Sequence, residues 1–123
     1  MIYLVIIAGI LNGLMDLISF RWNKSYFSKI KNKRLIQFMN PKLSWRNKWK
    51  NGDINNGPKF FGSSTFLVWT TDLWHLLKVL MITCLLFGII FYNGNVIDVL
   101  FYLFIFTTSF SITYNGLQIK FSN

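Results

Sequence analysis

The apolar positions of this chain lie in three long blocks separated by polar stretches. Ile2 to Phe20 carries one charge, Asp16. Leu73 to Tyr92 carries His75 and Lys78 near its start. Val99 to Leu117 carries none. A hydrocarbon layer about 30 Å thick is crossed by roughly 20 helical residues, and each block has about that length. In lipid a backbone must satisfy its own hydrogen bonds, which makes helices the natural solution. The pattern therefore predicts an all-α membrane protein with about three transmembrane helices, at 2–20, 73–92 and 99–117. Residues 1–123 form a single integral membrane domain in this reading.

The first block is expected to be a retained anchor. No Lys or Arg precedes it, and it ends in Leu-Ile-Ser-Phe-Arg-Trp, not in the small residues of a signal cleavage site.

The polar stretch between the first two blocks has a helical pattern of its own. Over Lys24 to Met39, Phe27, Ile30, Leu35 and Phe38 share a side, while Lys29, Lys31, Lys33 and Arg34 crowd the remainder. This predicts an interfacial basic amphipathic segment lying on the membrane surface. Asn40-Pro41 should break it. Beyond the break, Trp45 and Trp49 are four residues apart among basic residues and would share one helical face at headgroup level. Trp69 and Trp74 are expected at the same interface. Asn51 to Pro58, rich in Asn and Gly, reads as an exposed loop.

Charge sets the orientation. Eleven of the 13 Lys and Arg residues lie in the loop from 21 to 59, with one acid, Asp53. Short cytoplasmic loops carry the Lys/Arg excess. The N-terminus is thus expected outside, the basic loop inside and the 93–98 turn outside. The C-terminus, with Lys120, is expected inside. Asn93-Gly94-Asn95 suits a tight connection. The loop should rest on anionic headgroups, each cation contributing about 1 kcal/mol near the surface. Docking to an acidic protein is the next reading. Nucleic acid is not an expected partner, because no recognised module accompanies the basic residues.

Composition changes the picture little. Hydrophobic residues make up 53% of the chain, more than a soluble core of this length requires. Glu is absent and Ile, Phe, Lys and Asn are abundant, so no single Lys or Asn is informative by its type. Cys84 is the one cysteine and excludes an intrachain disulfide.

The candidate chemistry is a polar intramembrane cluster. Ionisable groups in a span cost about 2.5–3.5 kcal/mol at its centre and are functional candidates by default. With the expected orientation, Asp16 descends to the depth reached by Asp72, His75 and Lys78 at the start of the second span. Gly9, Asn12, Asp16 and Ser19 form a small polar stripe, and Asp16 is expected to pair with His75 or Lys78. Gly9 and Gly13 match the spacing for close helix packing, within the chain or in a dimer. The hydroxyls from Thr107 to Thr113 are expected to bond to their own helix. No metal or cofactor is expected, since one His and scattered acids have no recognised ligand spacing. No nucleophile or phosphate-binding loop is evident, so no catalytic residue is assigned.

The function these observations suggest is a non-enzymatic accessory or assembly component, in a homo-oligomer or a larger membrane complex. The alternatives are a small pore-forming or holin-like protein, and an intramembrane enzyme or proton pathway using Asp16, Asp72 and His75. The enzyme reading requires Asp72 and His75 to line a water-accessible pocket.

Overall fold

A computed structural model describes residues 1–119; Lys120 lies outside the described residues. The fold is all-helical, and three of its helices are long and apolar enough to cross a membrane. These are α1 (Ile2–Phe20), α4 (Leu73–Ile90) and α5 (Val96–Gly116). Between them lie two short helices, α2 (Lys33–Met39) and α3 (Pro41–Ser44), and a series of 3₁₀ turns.

The middle layer is α1, packed antiparallel to α4 on one side and parallel to α5 on the other. Toward α4, Met15 and Ile18 bury against Leu77, flanked by Leu11, Leu14, Leu73 and Met81. Toward α5, the face is made of glycine. A Cβ on Gly9 would stand 2.5 Å from the Phe106 carbonyl oxygen and 2.8 Å from Ser109 Cβ. One on Gly13 would stand 2.8 Å from the Phe110 oxygen and 2.9 Å from Thr113 Cβ. The two glycines therefore serve close packing within the chain, meeting Ser109 and Thr113 one turn apart on a parallel partner. Those hydroxyls bond back to the carbonyls of Ile105 and Ser109 at 2.8 and 2.9 Å. They add a small surface without leaving a polar group unmet.

Asn and Asp open the later helices. Asn32 caps α2, Asn40 caps α3 with Pro41 in the first turn, and Asp72 caps α4. Asn95 and Asp98 form a reciprocal capping box on α5. That box moves the start of the third long helix to Val96, one turn earlier than hydropathy places it, and draws Asp98 from the loop into the helix. The α4 helix ends at Ile90, short of Tyr92.

The basic segment corrects the sequence expectation. A single interfacial helix over 24–39 does not form. Trp22–Lys24 and Tyr26–Lys29 are separate 3₁₀ turns, and Ile30 and Asn32 are extended. Asn32 accepts from the Arg34 and Leu35 amides at 3.0 and 3.3 Å, so helix can begin only after it. Upstream, Ser25 bridges to Gln118, and the Tyr26 amide donates to the Leu117 carbonyl at 3.2 Å. Tertiary pairing with the chain beyond α5 thus displaces local helix.

Trp45 and Trp49 do not share a helical face either. Trp45–Lys48 is a 3₁₀ turn and Trp49 is extended, paired with Pro58 across a loop. The loop turns through Asn51, Gly52 and Gly57, all at positive φ. Ser63 is fully buried and donates to the Lys48 carbonyl at 2.8 Å, while Asn47 donates to the Thr71 carbonyl at 2.9 Å. These bonds fasten the basic segment into a folded cap at one end of the helices.

Candidate functional site

Asp72 does two things at once. One carboxylate oxygen accepts the His75 amide at 2.9 Å and so caps α4. The carboxylate also lies 2.7 and 2.9 Å from His75 Nδ1. The carboxylate accepts, so Nδ1 is assigned the hydrogen and Nε2 is left to exchange protons. Asp72 is 3% exposed, whereas the His75 side chain is 32% exposed. A buried acid thus orients a partly open imidazole.

Asp16 reaches the same place from α1. Asp16, Asp72 and His75 line one pocket of about 350 Å³, with Ser44 and Trp45 from the basic cap and Trp74 from α4. Three elements far apart in sequence therefore meet there. Among the described residues, Asp16 has no hydrogen bond or ion pair, and the one ion pair is His75 with Asp72.

The expected pairing of Asp16 with His75 or Lys78 is thus not what the structure shows. Asp72 already holds His75. Lys78 is exposed, with its ammonium 5.0 Å from the centre of the Trp74 ring. The pocket also divides the predicted polar stripe. Gly9 faces α5, Asn12 is half-buried, and Asp16 and Ser19 face the pocket. Among the described residues, no three His, Cys, Asp or Glu side chains lie close enough to hold one metal ion.

The tryptophans occupy different settings. Arg46 lies 5.3 Å over the Trp45 ring and Lys48 lies 5.6 Å over that of Trp49. Trp69 is partly exposed in the turn before α4. Trp74 packs beside the α1–α4 core, with its ring edge-on to His75 at 5.0 Å.

No family model, curated protein or solved structure matches the chain.

Sequence reasoning missed the part of the cap that closes the pocket. Pro41, Ser44 and Trp45 arrive because Asn40 ends α2 and starts α3, turning the chain back over α1. The Asn-Pro pair signals the turn, but nothing local signals which helix end it covers.

Proposed function

We propose that this chain is an integral membrane protein of three spans, with its N-terminus outside and its basic cap in the cytoplasm, acting as a non-enzymatic accessory or assembly component. The observation that carries the reading is the uncovered apolar surface of α4 and α5. Leu77 and Gly88 are the buried residues of α4, and α5 has none. Leu86, Ile89, Ile90, Leu100, Leu103 and Phe104 are all more than half exposed. A soluble monomer rarely exposes a continuous apolar surface of that extent. Lipid covers it without cost, and so do helices of a partner. The cap adds a cationic face suited to the cytoplasmic leaflet or to acidic segments of a partner. Purification of the full chain in mild detergent tests the component reading. Co-elution with a homo-oligomer or a second membrane protein supports it, and a monodisperse monomer that permeabilises liposomes supports a pore instead.

One observation favours a second reading, an acid–base site. Asp16, Asp72 and His75 line one pocket, and the Asp72–His75 bond orients an imidazole, a group with one nitrogen to donate and one to accept a proton. A proton pathway predicts acidification of vesicles holding the protein under a pH gradient, lost in His75→Gln. Equal rates in both proteins remove this reading.

A further inference from the structure

Two cavities of opposite charge share a wall at the end of α1. One is the pocket of Asp16 and Ser44. The other, about 410 Å³, shares Ser19 and Phe20 with it and is also lined by Arg21, Lys24 and Lys42.

The acidic side has one uncommitted charge. The Asp16 carboxylate has no partner among the described residues, since the neighbouring carboxylate, Asp72, is taken by His75. Ser44 lines this pocket beside it. Trp45 and Trp74 supply apolar walls.

The basic side is also uncommitted. Arg21 donates through Nε to the Tyr114 hydroxyl at 3.1 Å, which leaves its terminal nitrogens. Lys24 and Lys42 are exposed and have no acidic partner among the described residues. Three cationic residues lining one cavity suit a phosphate.

We propose that the two cavities together bind a phosphoamine headgroup, with its ammonium at Asp16 and Ser44 and its phosphate at Arg21, Lys24 and Lys42. The chemistry is that of phosphoethanolamine, free or as the headgroup of a phospholipid. The lipid source rests on the membrane reading above, in which the last turn of α1 lies at headgroup depth. This selectivity differs from the general attraction of the cap for anionic lipid. An anionic headgroup satisfies the basic cavity alone, whereas a phosphoamine satisfies both.

The test uses the full chain in detergent, offered equal amounts of phosphatidylethanolamine and phosphatidylglycerol, with bound lipid counted by native mass spectrometry. The wild type should retain phosphatidylethanolamine in preference by about tenfold, the factor expected for one additional charged hydrogen bond. Asp16→Asn should bring the ratio close to one. Lys24→Gln with Lys42→Gln should lower retention of both lipids. Equal retention by the wild type, or a preference unchanged in Asp16→Asn, overturns the proposal. If Asp16→Asn loses helicity by circular dichroism, Ser44→Ala replaces it, and an unchanged preference there overturns the proposal equally.

Free phosphoethanolamine distinguishes the sources. Displacement of bound lipid shows that the headgroup suffices, whereas a preference that survives it assigns the ligand to the lipid. Should alkaline carbonate extract the chain from membranes, the membrane reading fails alone. Calorimetric titration of free phosphoethanolamine into wild type and Asp16→Asn then decides the pocket, and equal heats overturn it.

Discussion

At the scale of single residues, Asp72 carries the greatest structural weight of the polar cluster. It was legible as an acid near a predicted span, yet its place immediately before Leu73 is also that of an N-cap, and the structure gives it that role. Asp72→Ala removes the cap and the partner of a half-buried imidazole. It should lower stability by about 1–2 kcal/mol, measured by denaturant titration in detergent micelles. Asp72→Asn keeps an oxygen acceptor and should cost distinctly less. Asp16 and Lys78 invite a contrasting prediction. They stand at similar depth in the sequence pattern, but the Lys78 ammonium lies over Trp74. The losses in Asp16→Leu and Lys78→Leu should add to within about 0.5 kcal/mol in the double variant. A larger coupling would restore the ion pair that the sequence suggests. Hydropathy locates both residues along their helices but carries no information about which way a long side chain turns, and here an adjacent indole decides it.

At the scale of elements, long helices were legible and short ones were not. Ile2–Phe20 is apolar apart from Asn12, Asp16 and Ser19, and its helix matches the block. The 24–39 segment has a plausible amphipathic pattern, but pairing of Ser25 and Tyr26 with the chain after α5 competes with it, as does the Asn32 cap. Proline substitution separates these descriptions. Lys31→Pro lies between extended residues and should leave stability and helicity nearly unchanged. Ile36→Pro removes an amide that donates to the Asn32 carbonyl at 3.0 Å and should cost about 3 kcal/mol. Equal, large losses at both positions would indicate a continuous helix. Glycine gives a similar contrast in the bundle. A Cβ at Gly9 would collide with the Phe106 carbonyl, whereas one at Gly88 would meet nothing within 4 Å. Gly9→Ala should therefore destabilise by about 1–3 kcal/mol, through forced separation of α1 from α5. Gly88→Ala should be neutral or slightly stabilising, because alanine favours helix. Thermal unfolding in one detergent compares the two.

At the scale of the whole molecule, the fold is a central helix flanked by two others that leave most of their apolar surface uncovered, with a cationic cap folded over one end. The apolar blocks and the charge asymmetry were readable in the sequence because they are sums over many residues and tolerate local error. The pocket was not, because it depends on where Pro41, Ser44 and Trp45 land after two Asn-directed turns. If α1, α4 and α5 each cross a bilayer, the basic cap and the α4–α5 turn stand on opposite sides of it. Single cysteines at Asn55 in the cap and Asn95 in the turn, in a Cys84→Ala background, test this most directly with a membrane-impermeant maleimide. In the three-span arrangement Asn95→Cys should be labelled in intact cells, and Asn55→Cys only after permeabilisation. Labelling of both positions from the same side, or of both in a carbonate-soluble fraction, would contradict it.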